Sequence, residues 1–143
     1  MKKALSLILV ISMLLLCSAC SGGKPDDITE AHYEYGLKVL EITDKYLTGE
    51  LSAAATSDEL NDFTEENRYK LPSGGLYDDM IESYPVYIEL RLETTAITEE
   101  SITASLQGDE LQDQLMSILE LRNIVAGYLN EKELKESDIY NPY

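Results

Sequence analysis

The sequence predicts an all-α protein, a small antiparallel bundle of three to four main helices. Three observations carry that prediction. Apolar residues recur at three- and four-residue steps over 28–46 and again over 111–129, the period of a helix with one buried face. Pairs of capping type stand at Asp27/Glu30 and Asp109/Gln112, where side chains take up otherwise orphaned backbone N–H groups. Beyond the first twenty residues only one segment alternates apolar and polar residues cleanly, and a lone strand would leave its backbone unpaired.

The first helix is read from Asp27-Ile28-Thr29-Glu30, a capping box, onward. Ile28, Ala31, Tyr35, Val39, Ile42 and Tyr46 form one face, Leu37, Leu40 and Leu47 widen it, and Gly49 is a left-handed stop. Ser52 to Tyr69 carries a thin stripe of Ala53, Thr56, Leu60 and Phe63 among acids, as expected of an exposed outer helix. Leu71-Pro72-Ser73-Gly74-Gly75 breaks the chain into a loop.

The third segment fits two patterns. Val86, Ile88, Leu90 and Leu92 alternate as in a strand, while Tyr77, Ile81, Tyr84, Ile88, Leu92 and Thr95 follow a helical face. Pro85 inside a helix costs about 3 kcal/mol unless it stands at a kink or in the first turn. The missing strand partner decides for a helix, kinked at Pro85. Gln107-Gly108-Asp109 then separates it from Leu111, Leu115, Ile118, Leu119, Arg122, Val125, Ala126 and Leu129, a strong helical face. Asn130 with Glu133 is read as starting a short last helix, with Ile139, Tyr140 and Tyr143 docking or fraying beyond it.

The N-terminus has a different character. Met1-Lys2-Lys3 precedes an unbroken apolar run from Ala4 to Leu16, then Cys17-Ser18-Ala19-Cys20-Ser21-Gly22-Gly23. The run is shorter than the ~20 residues a spanning helix needs and suits a signal-peptide core. The residues fit a plain secretory signal cut near Ala19, or a short uncleaved anchor. Their order also resembles the signal peptides of bacterial lipoproteins, with Ser18-Ala19-Cys20 in the last three places and Cys17 where leucine is usual. That resemblance covers the first twenty-three residues or so. It implies a diacylglyceryl thioether on Cys20, cleavage before it, and a location on the extracytoplasmic face of a bacterial membrane. Two or three acyl chains, at ~0.8 kcal/mol per buried methylene, would hold the chain stably in the bilayer. The division expected is therefore 1–19 as cleaved signal peptide, 20–26 as lipidated cysteine and flexible tether, and 27–143 as one acidic helical domain.

Cleavage leaves 124 of 143 residues, enough for one core, with neither cysteine as a free thiol. With Lys2 and Lys3 gone, nine bases face 27 acids, a formal charge near −18. Such a surface repels nucleic acid and anionic headgroups, so membrane contact is expected through the lipid alone.

No pattern carries catalysis. His32 is the sole histidine, without the companions that a triad, a zinc pair or a haem would require, and it reads as a partly exposed helix residue. There is no Gly-x-Ser-x-Gly elbow, no Walker loop and no dinucleotide fingerprint. Adjacent acids at Asp26-Asp27, Asp78-Asp79, Glu99-Glu100 and Asp109-Glu110 lack the ordered calcium-loop spacing and read as helix caps and dipole partners. No cofactor, no metal and no enzymatic activity is therefore expected. The more informative bias is ten tyrosines against one phenylalanine and no tryptophan. Tyr33, Tyr35, Tyr77, Tyr84 and Tyr87 cluster on two helices and are the candidate surface for an envelope protein or peptide partner. The second reading is an accessory ligand- or metal-binding lipoprotein serving a transporter or sensor. Binding proteins of that sort are usually two α/β lobes, which these helical patterns do not match.

Overall fold

A computed structural model describes residues 23–101 and 108–140. Helices α1 (Glu30–Leu47), α2 (Ala53–Asn67), α3 (Leu76–Ser101) and α4 (Gly108–Leu129) follow one another, with single 3-10 turns at Arg68–Lys70 and Glu136–Asp138. There is no strand among the described residues. The predicted all-α bundle is the fold observed, and 86–93 is helical. The signal peptide, Cys20 and Tyr143 lie outside the described residues. No helix among the described residues is long and apolar enough to cross a membrane.

Polar ties give the topology. Thr29, at the start of α1, meets Asp78 at the start of α3, while Tyr46 near the end of α1 meets Glu99 near the end of α3. These two helices run parallel. Tyr35 of α1 stacks on Phe63 of α2, Ala53 of α2 meets Glu99, and Gln114 of α4 meets Thr98 of α3, so α2 and α4 run the other way. The chain goes up, down, up and down, and α1 packs against the other three helices.

The core follows the helical stripes. Ile28, Tyr35, Val39, Ile42 and Tyr46 are buried along α1, and all eight residues of the α4 face from Leu111 to Leu129 are buried, Arg122 included. From α3 come Ile81, Ile88 and Leu92, and from α2 Ala53 and Leu60, with Thr56, Ser57 and Thr64 beside them. Gly36 lets α1 approach α4 closely: a Cβ there would lie 2.8 Å from a Leu129 methyl carbon.

Helix boundaries differ from the sequence expectation in three places, one of them the start of α4, which begins at Gly108 and so holds Asp109 inside its first turn and not at its cap. Pro25 to Ile28 form a turn, Ile28 N–H donating to Pro25 O at 3.3 Å, so the N-cap of α1 is Thr29 rather than Asp27. The Thr29 hydroxyl oxygen accepts the His32 N–H at 3.3 Å. At the other end of the chain Asn130 ends α4 instead of starting a helix. It takes a left-handed φ of 57°, and Glu131 N–H returns to Ala126 O at 2.8 Å, the bond that closes a Schellman turn. Residues 131–135 carry no regular element.

Gly49 acts as expected and has a second role. Its φ is +76°, with Gly49 N–H on Tyr46 O at 2.9 Å and Glu50 N–H on Lys45 O at 2.8 Å. A Cβ here would also lie 2.7 Å from Tyr140 Cγ, because the C-terminal segment returns and donates Tyr140 N–H to Leu47 O at 2.7 Å. Gly49→Ala combines left-handed strain of about 1–2 kcal/mol with displacement of that ring. Urea unfolding is expected to show a loss of about 2–3 kcal/mol; a loss below 0.5 kcal/mol would mean the turn tolerates a side chain.

Candidate interaction surface

Two ends of α3 are tied by buried or half-buried carboxylates. Asp78, in the first turn, accepts Gly75 N–H at 2.8 Å and Thr29 N–H at 3.0 Å. Glu99, in the last turns, accepts Ala53 N–H at 3.4 Å and the Tyr46 hydroxyl at 3.3 Å. The acidic pairs 78–79 and 99–100 thus each supply one carboxylate that caps another segment's backbone.

His32 belongs to the first tie, and the expectation of partial exposure is corrected: its side chain is 0% exposed. Residue periodicity placed it beside the α1 stripe, but α3 closes over it. Its Nε2 lies 2.7 Å from Glu82 Oε1, and its Nδ1 lies 2.5 Å from the Thr29 hydroxyl and 3.3 Å from Asp78 Oδ1. With the proton on Nε2, the ring donates to Glu82 and accepts from the Thr29 hydroxyl. Burial alone would raise the Asp78 carboxyl, but the Gly75 and Thr29 N–H groups and the imidazole outweigh it and hold the group below its ordinary range. Both ring nitrogens are engaged inside the protein, so the cluster is a structural knot between α1 and α3. Among the described residues no set of three or more histidine, cysteine or acidic side chains could hold a metal ion.

The five candidate tyrosines separate into two groups. Tyr35 faces the core, where it stacks on Phe63 with centroids 5.1 Å apart, and burial pushes its hydroxyl up to about 12. It contributes nothing to an outer surface. Tyr33 is half-buried and donates its hydroxyl to Glu131 at 2.8 Å, tying α1 to the C-terminal segment. Burial, then that carboxylate, raises its pKa to about 12. Tyr77, Tyr84 and Tyr87 do come together on α3, and they do so through a residue the sequence reading missed. Tyr128 of α4 stands 5.8 Å from Tyr77 and 5.9 Å from Tyr84, and Tyr84 stands 6.1 Å from Tyr87, centroid to centroid. Within the α4 stripe Tyr128 adjoins Leu129, which alone signalled burial, so its contact across to α3 was not visible.

This aromatic row continues as a groove along the α3–α4 seam. Tyr87, Leu90, Arg91 and Thr94 form one wall and Ser117, Glu120, Leu121 and Ile124 the other, enclosing about 490 Å³. A shallower trough of about 780 Å³ shares Ser117, Glu120 and Ile124 and extends past Met116 to Glu133. Val86, Tyr87 and Leu90 are each more than half exposed. A contiguous apolar strip of this kind on a small protein is a candidate contact surface. Chemically it offers flat aromatic and aliphatic area with a few polar tips.

On the flank of α3 toward α2, Glu89 faces an acidic neighbourhood. Burial first, then Glu93 and Glu65, raise its pKa. A raised acid adds stability while protonated and loses it as pH rises through its folded-state value. Glu89→Gln is therefore expected to raise Tm at pH 7 by about 2 °C and to leave Tm at acidic pH unchanged. Calorimetry at the two pH values checks it; a fall at pH 7 would contradict the crowding.

The fold and this seam define the class: an up-down-up-down four-helix bundle with a tyrosine-rich face that no other described helix covers. Comparison with known proteins finds no matching family model, no matching curated sequence and no matching solved structure.

Proposed function

We propose that this chain is a lipid-anchored protein of a bacterial cell envelope, held outside the cytoplasm by acyl chains on Cys20, whose helical domain binds another envelope protein or peptide without catalysing a reaction. The observation that carries the binding role is the α3–α4 seam, where Tyr77, Tyr84, Tyr87 and Tyr128 lead into the groove around Leu90 and Ile124. Burial of the only imidazole, with both nitrogens engaged, supports a role without acid–base chemistry. The anchor is supported by the lipoprotein-like order of residues 1–23. A tether from Ser21 to Pro25, at most ~3.5 Å per residue, would keep the domain within roughly 20 Å of the bilayer.

A photoreactive benzoylphenylalanine placed at Leu90 in the full chain, in intact cells, tests the binding surface. A discrete adduct is expected from Leu90 and not from Asp62, exposed on α2. Identical patterns from both positions, or none from Leu90, would reject the seam. Cys20→Ala is expected to release the chain from the membrane fraction; unchanged fractionation would reject the lipid anchor.

A further inference from the structure

We propose that the occupant of the α3–α4 seam is a basic amphipathic α-helix of a partner protein. This rests on the reading that the seam binds a protein, and specifies what kind of segment it takes.

The outer face of α3 repeats like a coiled-coil seam. Leu76, Ser83, Leu90 and Ile97 stand seven residues apart, and Met80, Tyr87 and Thr94 follow the first three by four. Residues so spaced fall in one line when two helices pack lengthwise. Leu76, Tyr87, Leu90 and Ile97 are 68%, 56%, 58% and 69% exposed, while Ile81, Ile88 and Leu92 on the other face are fully buried. α3 is thus apolar on two faces, and among the described residues the other helices bury only the one that holds Ile81, Ile88 and Leu92. From Leu76 to Ile97 the strip runs roughly 30 Å at 1.5 Å per residue, the span of a helix of about 20 residues.

Charge selects the occupant. On one flank of the strip stand Asp79, Glu93 and Glu100, all exposed. The α4 side and the trough beyond it add Asp113, Glu120 and Glu133. Arg91 is the one cation among the residues lining the groove and the trough. A second copy of the chain matches this poorly. Parallel pairing along the repeat sets Asp79, Val86 and Glu93 against Tyr84, Arg91 and Thr98, which makes no acid–base pair, and antiparallel pairing about Leu90 lays acidic flank on acidic flank. Two bodies of formal charge −16 also repel as wholes. A helix with apolar positions against Tyr87, Leu90 and Ile97 and lysine or arginine toward Glu93 and Glu120 satisfies both the shape and the charge.

The test uses the full chain in dodecyl maltoside micelles and three synthetic 21-residue peptides, each with a central benzoylphenylalanine. One carries leucine at heptad core positions and lysine elsewhere, one has glutamate in place of every lysine, and one has the lysine–leucine composition scrambled so that no continuous apolar face exists. Photo-adducts of the first peptide are expected to map to residues 86–97 and 117–124. Leu90→Glu, confirmed as helical by circular dichroism, should cut their yield at least tenfold, and Glu93→Lys with Glu120→Lys should transfer preference to the glutamate peptide. Equal adducts from the scrambled peptide would reduce the effect to general acidity, and equal adducts from the glutamate peptide would remove the charge selection; either overturns the proposal. A dimer in sedimentation that Leu90→Glu dissolves would make the occupant a second copy. Should no peptide react while Leu90 still crosslinks in cells, this inference fails alone; absence of the cellular adduct fails the reading beneath it.

Discussion

Asp78→Ala is expected to destabilise the protein by about 3–5 kcal/mol, because it removes a buried carboxylate and leaves its partners facing nothing. Asp78 is 2% exposed and serves three groups at once: Gly75 N–H, Thr29 N–H and the His32 ring. Two of these are backbone donors that no neighbouring group replaces. A loss of this size is a large part of the 5–15 kcal/mol that holds a typical domain folded. Urea unfolding at pH 7 measures it. The pH dependence gives an independent readout. Because the folded-state pKa lies below the ordinary value, the Asp78 contribution is complete above the unfolded value of about 3.9 and disappears as pH falls through the depressed one. The wild type should therefore lose stability with acid more steeply than Asp78→Ala over that range. A loss under 1 kcal/mol, or parallel pH curves, would show that the knot is not what joins α1 to α3.

The second large effect is expected at the clasp between α1, α4 and the C-terminal segment. Arg122 is 7% exposed at its side chain and grips Asp44 with two bonds, Nε to Oδ1 at 2.8 Å and Nη2 to Oδ2 at 3.0 Å. Its Nη1 donates to Lys132 O at 2.7 Å. Beside it, Asn123 makes a paired contact with the Leu134 backbone, donating to O at 2.8 Å and accepting N–H at 2.9 Å. Asp44→Ala leaves a buried guanidinium with one partner fewer and is expected to cost about 3–4 kcal/mol. Arg122→Met leaves only a carboxylate that is 32% exposed and can regain water, so about 2 kcal/mol is expected. Hydrogen exchange separates this clasp from a general loss of packing. Arg122→Met should remove protection from the Leu134 and Tyr140 amides before it affects the middle of α1, whereas uniform loss along the chain would contradict a local clasp.

The stripes along α1 and α4 were legible because helical burial repeats at a spacing that neighbouring residues display by themselves. The α4 face was read correctly to the last residue, Arg122 among them, although its charge suggested no partner. α3 was only half legible. Its two apolar faces, Ile81-Ile88-Leu92 and Leu76-Tyr87-Leu90-Ile97, overlap into a pattern without a strong side, so helix and strand both fitted; the helical face that was read does hold the buried Ile81, Ile88, Leu92 and Thr95, while the second, outer face went unread. Pro85 is accommodated within a continuous helix from Leu76 to Ser101, where its missing N–H removes one bond from a ladder otherwise held by packing on three neighbours.

The candidate surface was legible in composition and not in place. Tyrosine excess pointed to Tyr77, Tyr84 and Tyr87, and these do line up, but the same excess included Tyr35, which fills the core, and Tyr33, which bonds to Glu131. No tyrosine announces in sequence whether its ring faces inward. Tyr128 entered the row only because α4 runs antiparallel to α3.

From the chain order alone came a bundle of three to four main helices, their approximate ends, the loop at 71–75 and the left-handed stop at Gly49, since caps, turns and periodicity act between residues a few positions apart; the short last helix expected from Asn130 did not form. Folding in space decided that His32 is sealed between Thr29, Asp78 and Glu82, that Arg122 finds Asp44, and which face of α3 is left uncovered. Those outcomes join residues about 50 and 78 positions apart; burial and charge pairing depend on distances that only the packed helices create.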